Sequence, residues 1–206
     1  MALLTSSTPL DLLLTERRRK PTDLTVRDWL EAGQALLKEG GLRALKLRPL
    51  ADALGVSTGS FYHHFVDFPA YQAALADYFS GDQIRRVLAE ADEGADPLGR
   101  IERLVGIVVR EGLSQLGLAM RAWAESDVRA RAAVQGQDAA VLAFLTENLR
   151  GLGFAETEAR VRAYALVAVA VGLGVMHGAN GLSPAELKHG LFDLLCAPER
   201  NPISKR

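Results

Sequence analysis

The sequence predicts an all-α fold, and three observations carry that expectation. No stretch alternates cleanly between apolar and polar residues, and runs of β-branched and aromatic residues are missing, so strand signals are nearly absent. Apolar residues instead recur at helical spacing through most of the chain. Gly and Pro punctuate these periodic runs where helices would start and stop, which gives about nine helices.

Taken in order, residues 1 to 22 lack any period and end in the basic run Arg17-Arg18-Arg19-Lys20 before Pro21, the pattern of a loosely docked arm. Such a run is either a solvated tail or an arm that touches phosphate or a minor groove. The first helix starts at Thr25, whose hydroxyl can cap it while Asp28 sits three positions on. Val26, Trp29, Leu30, Gly33, Leu36 and Leu37 form its apolar stripe, and Gly40-Gly41 stops it. A short helix follows over 48–54, with Pro49 in its first turn. Gly55-Val56-Ser57 makes a turn, and Ser57 can cap another short helix to about Phe65. Asp67 and Pro69 start a longer helix to about Glu90, and the acidic stretch from Asp92 to Asp96 breaks it. Pro97 to about Gln115 is read as one helix, followed by a short segment with Leu118, Met120, Ala122 and Trp123. Helices over 128–150 and 157–179 come next. The last is announced by Ser183-Pro184-Ala185-Glu186 and ends before Pro198.

Composition narrows the possible functions. Among 206 residues, 49% are hydrophobic and 24% charged, enough to bury a core. The single cysteine, Cys196, excludes an internal disulfide framework and a cysteine-based zinc cluster. No basic residue precedes the apolar start, which is unlike a secretory signal, so the reducing cytoplasm is the expected compartment. The formal net charge is -1, which argues against a generally polycationic binder. The first 65 residues nevertheless carry nine basic and seven acidic side chains, against fifteen and eighteen in the remainder. That asymmetry directs an anionic partner to the N-terminal third.

The chemistry concentrates in LKLRPLADALGVSTGSFYHHF, residues 45–65. Two short helices joined by a Gly-containing turn form a helix-turn-helix pattern. Leu50, Ala51 and Leu54 are expected to face inward from the first helix, with Val56, Phe61 and Phe65 anchoring the turn and the second. Thr58, Ser60, Tyr62 and His63 are then expected at the solvent face. The DNA major groove is about 12 Å wide and admits one helix whose exposed face is small enough for close approach. Ser57, Gly59 and Ser60 would let the backbone approach, hydroxyls can pair with base edges or phosphates, and Lys46 and Arg48 are placed to reach the flanking backbone. His63 and His64 are adjacent and so point in different directions. No cysteine or carboxylate cluster accompanies them, so neither a metal nor a cofactor is expected.

At LADALGVSTGSFYHHF the sequence resembles the TetR family of transcriptional repressors, most strongly over 26–71. The segment MRAWAESD also occurs in similar form in relatives. The resemblance implies a three-helix DNA-binding unit over 23–68 after the arm, and a C-terminal antiparallel helical domain over 69–206 for ligand sensing and dimerisation. It implies that 57–63 form the recognition helix, that Tyr62 and His64 contact phosphate, and that Arg48 supports them. Two positions depart from the family. Lys46 stands where a capping Thr is usual, and Phe68 stands where a phosphate-binding Lys is common. The partners implied are a palindromic double-stranded operator, a second copy of the chain and a small hydrophobic or aromatic effector.

Residues 163–181 contain no charge, but the apolar run from Ala163 to Met176 is only fourteen long. A membrane span needs about 20 residues. A helix apolar nearly all round must be covered on all sides, and a second chain is the simplest cover. Val167, Val171 and Gly174, with Leu187, Leu191 and Leu194 of the last helix, are the expected dimer interface. Met120, Trp123, Phe144, Tyr164, Met176 and His177 are read either as the lining of a ligand cavity or as plain core. Two alternatives stand beside a DNA-binding regulator: an all-α enzyme using that cavity, and a dimeric interaction module without DNA binding. Against the enzyme, no paired carboxylates with a positioned His, no nucleophile with a base and no phosphate-cradling loop occur in the sequence.

Overall fold

The computed structural model describes residues 24–94, 96–175 and 184–197. The basic arm, Met176, His177 and the Ser183 cap lie outside them. Among the described residues the chain is helical, with no strand. In order come α1 Val26–Gly40, a 3-10 turn Gly41–Arg43, α2 Leu47–Leu54, α3 Thr58–Phe61, α4 Phe68–Tyr78, α5 Ile84–Asp92, α6 Pro97–Arg110, α7 Leu113–Ala124, α8 Val128–Gly151, α9 Glu156–Val175 and α10 Pro184–Cys196. A π-helical turn, Phe79–Gln83, joins α4 to α5 as one interrupted helix, so the described residues form nine helices.

Side-chain caps fix four of the helix starts among the described residues. Thr25 and Asp28 form the reciprocal capping box expected from the sequence, with the Thr25 backbone N–H donating to Asp28 Oδ2 at 2.8 Å. Asp67, Asp96 and Asp127 accept from the backbone N–H groups of Ala70, Gly99 and Ala130, each at 2.7 Å. Caps of this kind contribute roughly 1 kcal/mol each. The sequence reading fails at the expected helix over 97–115. Gly112 adopts φ +63°, ending α6 and starting α7. The apolar period runs on either side of that glycine, so one backbone torsion, invisible to periodicity, makes the break.

The buried apolar residues form two cores. The first holds Trp29, Leu37, Leu50, Phe61, Tyr71, Leu75 and Phe79 of the N-terminal helices together with Leu116, Met120 and Trp123 of α7 and Ala130, Ala133 and Val134 of α8. The second holds Ile84, Val87, Ile101, Leu104, Ile107, Leu145, Leu149, Ala163 and Cys196. The first core therefore runs well beyond residue 68, and α7 is built into it.

Close packing in the first core depends on Gly33. A Cβ there would overlap the Tyr71 hydroxyl and lie 3.0 Å from its Cζ and 3.3 Å from Leu75 Cδ2. The Tyr71 hydroxyl donates to the Trp29 carbonyl at 3.0 Å, and burial pushes its pKa up, so it stays a neutral donor. On the other side α1 meets the body through a polar seam. Buried Gln34 and Gln83 exchange amide bonds of 3.0 and 2.8 Å, Lys38 Nζ donates to the Glu111 carbonyl at 3.1 Å, and Arg86 grips the Glu111 carboxylate at 3.1 and 2.5 Å. That grip holds the Glu111 carboxyl below its ordinary value.

Two expectations follow. Gly33→Ala should cost about 1–3 kcal/mol by overpacking. Removing the hydroxyl with Tyr71→Phe in the same chain should return part of that loss, as read by denaturant unfolding. Glu111 is ionised more readily in the folded state, so its contribution is complete above the ordinary carboxylate value of 4.5 and fades as pH falls through the lower folded value. The pair is partly exposed, so Glu111→Gln should cost under about 1 kcal/mol at pH 7. The difference in Tm from the parent should shrink on acidification.

Candidate nucleic-acid interface and internal cavity

The turn between α2 and α3 is a Schellman motif. Gly55 sits at φ +67°, its N–H donating to the Asp52 carbonyl at 3.1 Å, while the Val56 N–H reaches the Ala51 carbonyl at 3.0 Å. Leu50 and Ala51 of α2 are buried, and Leu54 and Val56 pack against the first core. α3 has only four residues, but turn bonds from His63 to Ser60 and from His64 and Phe65 to Phe61 carry the winding on to Phe65. Ser57 precedes it in an extended conformation and makes no side-chain cap bond, contrary to the sequence expectation; its carbonyl accepts the Ser60 N–H at 3.0 Å.

An aromatic cluster holds this segment. The Phe61 ring lies 5.4 Å from Trp29, 5.4 Å from Tyr62, 5.1 Å from Phe65, 6.1 Å from Phe68 and 5.6 Å from Tyr71. Pairs of this geometry contribute about 0.5–1.5 kcal/mol each beyond the area they bury. Phe68, the departure from the family's usual Lys, is half-buried here and extends the cluster toward Tyr71 at 5.6 Å. His64 is half-buried against Trp29, their centroids 6.2 Å apart.

Around this anchor Lys46, Arg48, Ser57, Thr58, Gly59, Tyr62 and His63 are exposed. Tyr62 keeps 60% of its surface open. Arg48 is loosely paired with Asp52 at 4.0 Å, both highly exposed. Lys46 occupies the α2 cap position without a side-chain cap bond, as an ammonium group must. Ser60 is a correction. It was expected at the solvent face and is instead 7% exposed, on the inward side with Phe61. The four-residue helix has one buried side, and positions 60 and 61 both fall on it. Gly59 needs no special conformation, and a Cβ there would meet only Ser57 Oγ at an ordinary 3.5 Å.

A half-open pocket lies among the C-terminal helices, as the sequence suggested, but its lining differs from the expected one. A space of about 110 Å³ between α5, α6, α7, α8 and α9 is lined by apolar groups, including Val87, Leu104 and Val141, and by Ser114, Arg121, Gln137 and Asp138. Met120 and Trp123 are fully or nearly fully buried but turn the other way, into the first core. Phe144 packs against the second core without lining the cavity, and Tyr164 is 68% exposed on a groove between α8 and α9. Met120, Trp123 and Phe144 are therefore corrected as lining residues, because on α7 and α8 this pocket takes other positions of the helical turn, while Tyr164 lines the separate groove between α8 and α9. Arg121 and Asp138 were missed. They are seventeen positions apart and meet only because α7 packs on α8, which leaves no local signal.

Val167 and Val171 line this same cavity, so the expectation that they face a second chain is corrected. The outward stripe of α9 is Val161, Tyr164, Ala168 and Val175, with Leu194 of α10 also exposed. Leu187 and Leu191 are half-buried, and Gly174 lies in the last turn of α9. Among the described residues no three His, Cys, Asp or Glu side chains gather in a way that could hold a metal ion. No described helix is long and apolar enough to cross a membrane.

A short exposed helix, set behind a left-handed glycine turn on a rigid aromatic core, defines a helix-turn-helix protein. Residues 30–67 match the model of the bacterial regulatory proteins of the tetR family. The matched stretch spans most of α1, the helix-turn-helix and the approach to α4. Over 75 residues it is 36% identical to the HTH-type transcriptional repressor KstR2 of Mycobacterium tuberculosis, a match covering 36% of this chain and 38% of that protein. The chain thus spans under half the length of the curated relative it matches. The fold is shared over nearly the whole chain. A TetR transcriptional regulator from Legionella pneumophila superposes with a TM-score of 0.69 at 16% identity, covering 84% of this chain and 97% of that one. AibR, solved in complex with isovaleryl coenzyme A and operator DNA, gives 0.60 at 19% identity over 84% and 98%.

The two turn glycines are expected to behave oppositely. Gly55→Ala forces a Cβ into the left-handed region and should cost about 1–2 kcal/mol. Gly59→Ala, in open space on a helix, should leave stability unchanged or raise it by up to about 1 kcal/mol. Urea unfolding of both variants measures the contrast.

Proposed function

We propose that this chain is a homodimeric, sequence-specific DNA-binding repressor, acting in the cytoplasm, whose hold on a palindromic operator is released by a small ligand; it is a regulator and not an enzyme. The observation that carries the reading is Gly59. It stands in the middle of the exposed edge formed by Ser57, Thr58, Tyr62 and His63, and the fold itself does not require a glycine there. A partner surface approaching the backbone closely gives the missing side chain a purpose. The names of two similar proteins support the same reading, one a transcriptional repressor and the other bound to operator DNA.

In this mechanism Lys46, Arg48, Tyr62 and His64 contact phosphates and set register, while Thr58 and His63 face base edges. Few charged groups stand on the reading edge, so thymine methyl contacts and DNA deformability carry much of the specificity. A second copy covers the α9 stripe of Val161, Tyr164, Ala168 and Val175 together with Leu194, placing two reading heads roughly 34–36 Å apart or on a related spacing. The ligand enters the cavity beside Arg121. One side of α7 (Ser114, Gly117, Leu118, Arg121) lines that cavity, and the other (Leu116, Met120, Trp123) is buried in the core that carries the reading head. A ligand that shifts α7 therefore shifts the heads. By linkage, operator DNA lowers ligand affinity by the same factor.

A mobility-shift assay with the DNA upstream of the gene tests this. Binding should be specific and weaken steeply with salt, and Lys46→Ala should reduce the slope of log K against log salt by roughly two per dimer. Tyr62→Ala should weaken binding to all sequences alike, and Gly59→Ala should weaken specific binding at least about tenfold, or 1.4 kcal/mol, without loss of Tm. Salt-insensitive binding, or unchanged affinity in both variants, would contradict the docking.

A further inference from the structure

We infer that the half-open pocket between α5, α6, α7, α8 and α9 is built for a small uncharged molecule, apolar over most of its surface and carrying one carbonyl or hydroxyl group, and that it discriminates against carboxylates and amines. The inference rests on the cavity being the effector site and names the class of ligand it takes.

Size sets the first limit. A dry apolar cavity of about 150 Å³ holds one benzene ring. The space of about 110 Å³ here suits an occupant of that order, or the apolar end of a longer one reaching through the mouth.

Charge sets the second limit. Arg121 donates from Nη1 to Asp138 Oδ2 at 3.0 Å and from Nη2 to Asp138 Oδ1 at 2.7 Å, both side chains about two-thirds buried. Among the described residues these are the only two ionisable side chains in the lining, and they neutralise each other. A carboxylate taking Arg121 would strip Asp138 of its partner and leave two anions side by side. An ammonium taking Asp138 would do the converse with two cations. Either outcome leaves a partly desolvated charge uncompensated. A carbonyl or hydroxyl oxygen can instead accept from guanidinium N–H groups outside the bidentate pair, with Ser114 and Gln137 nearby as further polar partners.

Gly117 supplies an independent observation. It lies inside α7 and lines the cavity, and a Cβ there would meet nothing within 4 Å. Glycine in a helix interior weakens the helix. No turn, positive φ or neighbouring backbone calls for it, in contrast to Gly33 under Tyr71. What its bare Cα provides at this position is open volume.

The test is calorimetric titration of the full-length protein at pH 7 with cyclohexanone, cyclohexanecarboxylate and cyclohexylamine. The ketone should bind, and the two charged analogues should bind at least about tenfold more weakly. Asp138→Asn, which leaves the guanidinium without its counter-ion, should raise carboxylate affinity at least about tenfold. Gly117→Leu should abolish binding of the ketone while Tm holds, and Gly117→Ala should raise Tm by about 2–4 °C. A charged analogue binding as tightly as the ketone, or no gain of carboxylate affinity in a folded Asp138→Asn protein, overturns the selectivity and leaves the cavity reading intact. Failure of all three probes to bind, or ketone binding that survives Gly117→Leu, overturns the cavity reading as well.

Discussion

The burial of Phe61 is the constraint on which the reading head depends. α3 is four residues long, far short of the length at which a helix holds itself in water. Its position comes from outside: Phe61 is wholly buried among the rings of Trp29, Phe65, Phe68 and Tyr71, with Tyr62 against its outer side. The Schellman turn at Gly55 delivers the chain to that pocket, and Gly33 makes room for the Tyr71 ring that floors it. The exposed residues between Ser57 and His63 inherit their placement from this burial and contribute little to it. Substitutions on the exposed edge can therefore change recognition at small cost to folding.

The same core ties the head to the body. α7 is shared, with Leu116, Met120 and Trp123 in the first core, where α7 packs against α1 and the 3-10 turn, while Ser114, Gly117 and Arg121 face the pocket. Across the molecule, the Gln34–Gln83 amide pair fixes α1 to the π-helical turn, Lys38 fixes it to the Glu111 carbonyl at the end of α6, and Arg86 of α5 grips the Glu111 carboxylate. Those contacts are hydrogen bonds of definite geometry, which hold one arrangement better than a plain apolar contact would. A displacement of α7 thus meets an apolar core on one side of α1 and a polar seam on the other.

Much of this was legible in the sequence. The Thr25-x-x-Asp28 box, the Asp67 helix start and the Gly55 turn are local signals with local causes, and the structure forms each of them. The helix-turn-helix and its inward set, Leu50, Ala51, Phe61 and Phe65, followed from apolar spacing and are buried. What was lost depends on rotation and on distance in sequence. Ser60 looked exposed because it is small and polar, yet a helix of one turn has its buried side fixed by Phe61 next to it. Val167 and Val171 looked like interface on a helix apolar all round, where composition cannot say which face turns inward. The Arg121–Asp138 pair and the π-helical turn arise from tertiary packing and carry no short-range signature.

Amide hydrogen exchange across the reading head tests the central claim most directly. If burial of Phe61 holds α3, the amides of His64 and Phe65, which donate to the Phe61 carbonyl, should exchange as slowly as buried amides of α1 and with the same dependence on denaturant. Exchange of those two amides at the rate of an unstructured peptide, while α1 stays protected, would show that α3 winds and unwinds on its own and would contradict the account.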